Sequence, residues 1–247
     1  MKKPSTALRK AKKVIYRALR AQRSRPEVRR SRENYPAQLH DLFMLAQTYT
    51  EDVDHAMKAL ASFTNSEDAR KQPGPLFPSF YDSGPRYREF LRRIIEDFNG
   101  AIVVETGIAH GHSTRVILEA LSALHSRQPE LRIHLHSLDV DERTHWSEFA
   151  DYPHWTFHLV DGSRDVDAIL DEIGEMDVFI HDSDHSYGHQ MKEYQSAWRH
   201  LKPGGFLVSD DISWSNAFID FCRQTGVQPV ILSEAPKVAG VVQKPQI

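Results

Sequence analysis

From residue 85 onward, short apolar runs alternate with segments whose apolar positions recur at helical spacing. The pattern predicts helices over residues 85–98, 113–125, 166–173, 187–200 and 216–224. It predicts strands over residues 101–105, 132–139, 155–160, 177–181, 206–209, 229–232 and 240–243. The first of these runs (AIVVE) is almost wholly apolar, which is typical of a strand buried on both faces. We therefore expect an α/β fold, a doubly wound and mainly parallel sheet with helices on both faces.

The segment before residue 85 follows a different pattern. Residues 38–63 have apolar positions at helical spacing, which predicts one or two amphipathic helices. Residues 71–78 (KQPGPLFP) contain three prolines and a glycine, so they predict a linker or a lid loop. We expect three parts: a basic leader over 1–36 that is partly helical or disordered, a helical extension with the Pro-rich segment over 37–84, and the α/β domain over 85–247.

Composition limits the class of protein. The chain has 247 residues, 40% of them hydrophobic, and a formal net charge of -3, which suits one large α/β domain with an N-terminal addition. No run approaches the roughly 20 apolar residues of a membrane span, and no apolar run follows the basic N-terminus as in a secretory signal. The single cysteine, Cys222, excludes an intramolecular disulfide. We expect a cytoplasmic protein.

The charge is unevenly distributed. Residues 1–32 contain thirteen Lys or Arg and one acid, Glu27, so the rest of the chain is acidic. Such an arm can contact a nucleic acid, an anionic membrane surface or an acidic partner. Because Tyr16 is its only aromatic residue, stacking on bases is disfavoured, and we do not expect a nucleic-acid partner. A solvated leader is the favoured interpretation, with peripheral membrane or acidic-partner contact left open.

A glycine turn follows the first predicted core strand. In the segment 104–113 (VETGIAHGHS), Glu105 ends the strand, Gly107 and Gly111 allow a tight turn, and Ser113 is predicted as the N-cap of the next helix. Ala109 stands where a dinucleotide fingerprint needs glycine, and His112 stands where a nucleotide P-loop needs lysine. The free N–H groups of such a helix suit a carboxylate or a phosphate. A glycine turn that binds no ligand is the alternative.

Acids also follow the later strands. Asp139 ends the second strand, where a carboxylate can bind both hydroxyls of a ribose or can merely cap a loop. Asp182 follows the fourth strand, and Asp210 and Asp211 follow the fifth. Neighbouring strands lie about 4.8 Å apart, so these three acids should converge and repel one another unless a cation lies among them. Oxygen ligands favour Mg²⁺, Mn²⁺ or Ca²⁺. His185 lies nearby as a candidate general base or a structural histidine.

The segment E-x-G-x-x-x-G-x-S resembles the first motif of class I S-adenosylmethionine-dependent methyltransferases. The stretch D-S-D-H-S-Y at 182–187, followed by L-K-P-G-G at 201–205, resembles metal-dependent small-molecule O-methyltransferases, including the cephalosporin hydroxylase-like and macrolide sugar O-methyltransferase group. The resemblance spans about residue 85 to the C-terminus. It implies a Rossmann-like seven-stranded sheet and S-adenosylmethionine as cofactor, next to Glu105, Gly107, Gly111, Ser113, Asp139, Ser163, Arg164 and Asp182.

The same resemblance implies a divalent metal, with Mg²⁺ first and Mn²⁺ or Ca²⁺ as alternatives, held by Asp182, Asp210 and Asp211. It makes His185 the base where catechol-type and caffeoyl-type enzymes have lysine, as in the sugar-modifying relatives. We expect methyl transfer to the hydroxyl of a small-molecule acceptor, a sugar or a natural product, by a chain that can form homo-oligomers. The Pro-rich loop with Phe77, Phe80 and Tyr81 is expected to close over the acceptor.

Two other functions stay open. A metal-dependent hydrolase could use the cluster from His181 to His185, but it would leave the glycine turn and Asp139 without a role. A non-catalytic cofactor-binding protein could dock through the basic arm.

Overall fold

The computed structural model describes residues 45–61, 84–141, 144–161, 165–234 and 237–246. The basic leader, the Pro-rich segment, Ser163 and Arg164 lie outside the described residues, so the predictions about them remain predictions. None of the described helices combines the length and the hydrophobicity that crossing a bilayer requires.

The described residues form eight strands, six α-helices and one 3₁₀ helix. The strands are β1 (Thr48–Thr50), β2 (Ile102–Thr106), β3 (His134–Asp139), β4 (Trp155–Leu159), β5 (Met176–His181), β6 (Leu201–Ser209), β7 (Val230–Glu234) and β8 (Lys237–Gln243). The α-helices are α1 (Val53–Ala61), α2 (Pro85–Asp97), α3 (His112–Arg127), α4 (Val166–Ile173), α5 (Tyr187–His200) and α6 (Ala217–Thr225). The 3₁₀ helix, Thr144–Asp151, lies between β3 and β4.

All eight strands belong to one sheet in the order β1-β7-β8-β6-β5-β2-β3-β4. Every pairing is parallel except those of β8, which runs antiparallel to both β6 and β7. The expected doubly wound, mainly parallel, Rossmann-like sheet is confirmed, and each of the seven predicted strands is present. Because β8 is antiparallel, it begins at the edge of the sheet where the parallel strands end.

Two apolar clusters cover the two faces of the sheet. One contains buried residues of α1, α2 and α3, and the other contains those of α4, α5 and α6. Successive residues of a strand enter opposite clusters, as Val103 and Val104 do, since side chains alternate across a strand. This arrangement explains why the central strands are apolar at nearly every position.

The helical prediction for residues 38–63 is wrong at its centre. Thr48–Thr50 forms β1 and pairs in parallel with β7, with Thr48 opposite Val230. The β-branched and aromatic residues of the TYT segment favour extended backbone, and the otherwise open edge of β7 offers them a partner. The sheet therefore has an eighth strand, while the helical prediction holds for α1.

The L-K-P-G-G segment at 201–205 forms the first part of β6. The pairing with β5 jumps from Met176 opposite Leu201 to Val178 opposite Phe206, so most of this segment is accommodated as an irregularity of the strand. Gly204 has a φ of 82°, which a glycine adopts at little cost.

Candidate functional site

The candidate site lies at the carboxyl edge of the sheet, where the strand order reverses. Strand β2 has β3 on one side and β5 on the other, and the chain moves from the β3–β4 side to β5 and β6. In open α/β sheets the ligand crevice lies outside the strands at such a point. Glu105, Asp139, Asp182 and Asp210 stand at or just beyond the ends of these four strands.

The glycine turn after β2 is tightly constrained. Gly107 has a φ of 86° and donates its N–H to the carbonyl of Leu138 at 2.8 Å. A Cβ atom at Gly107 would collide with the backbone carbonyl of Asp182. The turn therefore needs glycine both for its backbone angle and for the close approach of the loop after β5.

Gly111, not Ser113, is the N-cap of α3. Gly111 has a φ of 77° in the left-handed region, and the helix begins at His112. Ser113 is the second helical residue and is buried, so its predicted capping role is wrong. Glycine can take the left-handed conformation and enter the helix without a side chain over its first turn. The prediction that Ser113 lies next to the cofactor stays a prediction.

Glu105 is a buried carboxylate with one free oxygen. Its Oε1 accepts a hydrogen bond from Ser137 Oγ at 2.6 Å, and Ser137 Oγ accepts one from Trp155 Nε1 at 2.8 Å. Its Oε2 is buried and has no hydrogen-bond partner among the described residues. Burial raises the pKa of Glu105 to about 7, although the nearby hydroxyls of Ser137 and Thr114 act to lower it. A fixed, half-satisfied carboxylate of this kind suits a ligand ammonium group.

Asp139 holds the glycine turn. Its Oδ2 accepts the N–H of Ile108 at 2.9 Å, and its Oδ1 accepts the N–H of Asp141 at 3.0 Å. The loop-supporting role that the sequence left open is therefore present. A carboxylate has about four acceptor positions, so room for ribose hydroxyls remains, and that predicted role is compatible with the geometry.

These groups fit the amino-acid and ribose parts of S-adenosylmethionine. Glu105 offers a free anionic oxygen for the ammonium group, and the first turn of α3 supplies backbone N–H groups for the carboxylate. Asp139 lies at the next strand end for the sugar. Ser163 and Arg164, which the resemblance places next to the cofactor, lie in the part of the chain that the structure does not describe.

The three predicted metal ligands do converge. Asp182 donates its N–H to Thr106 O at 2.8 Å, and Asp210 donates its N–H to His181 O at 3.0 Å, which aligns the loops after β2, β5 and β6. Burial raises the pKa of all three carboxyl groups, and repulsion from Asp210 and Asp211 raises that of Asp182 further. Asp211 has a φ of 51°, unusual for a residue other than glycine.

A lysine that sequence reasoning missed lies among these acids. Lys237 Nζ is 2.6 Å from Asp210 Oδ2 and 3.6 Å from Asp211 Oδ2. Burial would lower the pKa of Lys237, but Asp210, Asp211 and Asp182 prevail and raise it, so the amine is charged. The signal in the sequence was a cation at the start of an otherwise apolar strand, KVAGVVQ.

The donor set does not fit a divalent ion. A hard cation would bind a carboxylate oxygen at about 2.1–2.4 Å, but Oδ2 of Asp210 already accepts a hydrogen bond from the ammonium of Lys237, while its Oδ1 is buried without a partner among the described residues. Across the described ranges, no group of three or more His, Cys, Asp or Glu side chains is arranged to hold a metal ion. The metal assignment of Asp182, Asp210 and Asp211 is therefore not supported by this geometry.

His185 lies over Asp182, Asp210 and Asp211, which together we call the acid cluster. Its Nε2 is 3.8 Å from Asp182 Oδ1 and 3.6 Å from Asp211 Oδ2, and its ring faces that of Trp214 at 5.9 Å. Burial, helped by His181, lowers the pKa of His185 to about 3, so the ring is neutral at pH 7. Its Nδ1 has no hydrogen-bond partner within the described chain. The position is compatible with the predicted base.

His181 has a structural partner. Its Nδ1 is 2.7 Å from Glu193 Oε2, and His189 Nε2 is 2.7 Å from Glu193 Oε1. Burial would raise the pKa of Glu193, but the hydrogen bonds from the two histidines prevail and hold that pKa well below its usual value. This network ties β5 to α5 and gives no support to the hydrolase alternative.

Tyr87, in α2, is a second residue that sequence reasoning missed. The side chain is buried, and its hydroxyl has no hydrogen-bond partner in the described ranges. Burial raises the pKa of Tyr87, and the charges of Asp210, Asp182 and Asp211 raise it further. The first turn of α2 is held by Glu234, which accepts the N–H of Tyr87 at 2.9 Å.

Comparison with known proteins gives a methyltransferase match for the central part of the chain. Residues 104–212 match the sequence model of a family described as Methyltransferase domain. That match runs from the glycine turn through Asp211 and includes Asp139, Asp182 and His185. The resemblance to class I S-adenosylmethionine-dependent methyltransferases is confirmed at the level of family model and fold. Comparison with the curated proteins gave no match.

Several solved structures share this fold. An O-methyltransferase from Bacillus cereus in complex with SAH is 13% identical, covering 78% of this chain and 90% of its own, with a TM-score of 0.52. The O-methyltransferase TomG from Streptomyces achromogenes, involved in tomaymycin synthesis and bound to SAM, is 13% identical, covering 79% and 92%, also at 0.52. A SAH-bound methyltransferase from Podospora anserina is 11% identical, covering 66% and 80%, at 0.51. At these identities the likeness establishes the fold.

Proposed function

We propose that this protein is an S-adenosylmethionine-dependent methyltransferase that methylates a hydroxyl group of a small molecule. The observation that carries the proposal is the buried Glu105 carboxylate, with its unpaired Oε2 beside the glycine turn. A buried, half-satisfied carboxylate costs stability unless a cationic partner binds it. The ammonium group of the cofactor is such a partner, and Asp139 and the start of α3 lie where the sugar and the carboxylate of the same molecule would follow.

The cofactor, when bound, supplies a methyl group on a sulfonium centre that needs little further activation. The chain then has to align the acceptor oxygen with that methyl group and to accept one proton. His185 lies beside the carboxylates of Asp182 and Asp211 and burial keeps its ring neutral, so a ring nitrogen has a lone pair that can accept the proton. Transfer of that methyl group would form a C–O bond at the acceptor as the C–S bond breaks, and the neutral ring of His185 would take the hydroxyl proton.

The O-methyltransferases that share the fold support a hydroxyl acceptor, as does the placement of His185 and the acids beside the crevice. A small molecule is favoured over a nucleic acid because acidic residues border the crevice, namely Glu105, Asp139 and the acid cluster. Their negative charge would repel the phosphates of a nucleic acid. We also propose that the protein acts in the cytoplasm.

Calorimetric titration with S-adenosylmethionine and S-adenosylhomocysteine tests cofactor binding. Transfer of a labelled methyl group to a panel of phenols, sugars and hydroxylated natural products then tests the reaction. We expect both nucleosides to bind and His185→Ala to retain binding while losing transfer. If neither nucleoside binds the folded wild-type protein, the proposed function is wrong.

A further inference from the structure

The amine of Lys237 lies against two members of the acid cluster, Asp210 and Asp211. Because β8 runs antiparallel, its first residue lies beyond the end of β6, where Asp210 and Asp211 follow. The hydrogen bond from Ile212 N to Val238 O at 3.0 Å fixes the start of β8 against that loop. Lys237 Nζ reaches Asp210 Oδ2 at 2.6 Å, and the lysine side chain is only 14% exposed.

The contact between Lys237 and Asp210 is a buried ion pair and not a salt bridge at the protein surface. The side chain of Asp210 is 1% exposed, and a buried carboxylate needs a charged or hydrogen-bonded partner. Lys237 supplies it, and its charge also acts on Asp182 and Asp211. A metal ion bound through Asp210 Oδ2 would have to displace an ammonium that is held by the same oxygen.

We propose that Lys237 is the resident cation of this acid cluster and binds the acceptor oxygen directly, in the place that the family resemblance assigns to a divalent metal. The proposal rests on the proposed methyl transfer. The ammonium has three N–H donors, of which the hydrogen bond to Asp210 uses one. The two remaining N–H groups donate to the Asp211 carboxylate and to the oxygen of the acceptor.

The chemistry balances without a metal. A hydroxyl oxygen that accepts a hydrogen bond from a charged lysine has a lowered pKa, because the ammonium stabilises the developing oxyanion. Its proton passes to His185, the C–O bond forms, and the C–S bond breaks with its electrons kept by sulfur. A lysine holds one oxygen as a point charge, whereas a divalent ion can chelate two. The acceptor class that fits is therefore a molecule bound through a single hydroxyl.

Manganese binding provides a test that does not require activity. Free Mn²⁺ is measured by electron paramagnetic resonance in titrations of wild type, Lys237→Met and Lys202→Met. Lys202 is the matched control, since its Nζ pairs with Asp177 Oδ1 at 2.7 Å at the start of β5, far from the acids. Wild type and Lys202→Met should bind little Mn²⁺, and Lys237→Met should bind it at least about tenfold more tightly, because three carboxylates are then left without their cation.

The activity test uses the complete protein before and after treatment with EDTA. Wild-type turnover should change by less than about twofold, and Lys237→Met should lose at least about 100-fold in kcat while S-adenosylmethionine binding is kept. Lys237→Arg, which keeps the charge, should retain more activity than Lys237→Met. Thermal unfolding of each variant checks that it is folded, and the double variant Lys237→Met with Asp210→Asn removes both buried charges if Lys237→Met alone does not fold.

Two results would overturn the role of Lys237. One is tight Mn²⁺ binding by wild type that Asp210→Asn abolishes, and the other is turnover that EDTA removes and Mg²⁺ restores. If the protein instead fails to bind S-adenosylmethionine, the proposed function fails. The manganese titration then still decides whether Lys237 occupies the cation position.

Discussion

The N–H of Ile108 donates to Oδ2 of Asp139 at 2.9 Å, and this bond ties the glycine turn after β2 to the end of β3. The residue predicted to bind a ribose is therefore also the anchor of the loop predicted to bind the methionine part. Cofactor affinity and the conformation of the glycine turn are therefore coupled through one carboxylate.

Asp139→Asn should weaken S-adenosylmethionine binding by about 10- to 100-fold, since it removes a charged acceptor worth about 1.5–3 kcal/mol. The amide also has one acceptor oxygen where Asp139 uses two, so either Ile108 or Asp141 loses its partner. Calorimetric titration measures the change in dissociation constant.

Asp177→Asn is the matched control for this substitution. Asp177 Oδ2 accepts the N–H of Ile102 at 2.8 Å, the same kind of bond, but at the opposite edge of the sheet. This variant should leave cofactor affinity within about twofold of wild type. Equal weakening in both variants would show that Asp139 acts only through stability.

The protein should bind its cofactor more weakly in acid. Burial raises the pKa of Glu105 to about 7, so the carboxyl group of the free protein is protonated below that pH and must lose its proton to pair with an ammonium group. Affinity should therefore fall by up to about tenfold per pH unit below pH 7. Calorimetry at pH 8, 7 and 6 measures the slope.

Glu105→Gln should bind more weakly at pH 8 and show a flatter pH profile, because glutamine has no proton to lose. An identical pH profile in this variant and in wild type would assign the dependence to another group.

Much of the fold could be predicted because each central strand is a continuous apolar run between two polar turns. The meeting of Asp182 with Asp210 could be predicted for the same reason, since parallel strands end at one edge. The position of Lys237 could not be predicted, because it depends on β8 being antiparallel. The direction of a strand is not encoded in the apolar pattern of that strand. Strand β1 was missed because its three residues are too short to show a period.

Details of the turn were also beyond sequence reasoning. Ser113 has the chemistry of an N-cap, but the backbone enters α3 through the left-handed conformation of Gly111. Which of two suitable residues caps a helix depends on the path of the preceding loop, here fixed by the hydrogen bond from Gly111 N to Ile108 O at 2.7 Å.

Gly107→Ala should destabilise the protein by about 2–4 kcal/mol. Roughly 1–2 kcal/mol comes from the positive φ, and the rest comes from collision with the carbonyl of Asp182. The free energy of unfolding in urea measures the effect. Cofactor binding should also be lost, because the turn moves away from Glu105.

Gly226→Ala separates the two contributions. Gly226 has a φ of 71°, but a Cβ atom there would meet nothing within 4 Å. The Gly226→Ala substitution should lower the free energy of unfolding by only about 1–2 kcal/mol and leave cofactor binding unchanged. Equal costs at the two glycines would mean that the contact with Asp182 is unimportant.

Acid should destabilise the fold through the histidines of β3 and β4. Burial, with His134 and His158 close by, lowers the pKa of His136 to about 3, whereas an unfolded histidine titrates near 6.5. Between about pH 6.5 and 3 the unfolded chain therefore binds more protons, and stability falls as the pH falls. The decrease in Tm between pH 7.5 and 5 should be smaller for His136→Gln than for wild type. His55→Gln, on α1, is the control and should follow wild type; an unchanged decrease in His136→Gln would contradict the assignment.

Tyr87→Phe should stabilise the free protein and impair the working enzyme. The hydroxyl is buried without a partner among the described residues, and removing an unsatisfied polar group should raise the free energy of unfolding by about 1 kcal/mol. A buried hydroxyl that lowers the stability of the free protein indicates a hydrogen-bond partner that the bound ligands supply. Catalytic efficiency should therefore fall about tenfold, as for one lost hydrogen bond in the transition state.

Tyr194→Phe provides the opposite case on the same scaffold. The Tyr194 hydroxyl is equally buried but lies 2.7 Å from Ser209 Oγ, so its removal should destabilise the protein by about 1 kcal/mol and leave the ligand constants nearly unchanged. The two variants remove the same atom from the same residue type, and only the presence of a partner differs. If Tyr87→Phe destabilises the protein as Tyr194→Phe does, the Tyr87 hydroxyl already has a partner in the free state. If it stabilises the protein without loss of turnover, the hydroxyl has no part in catalysis.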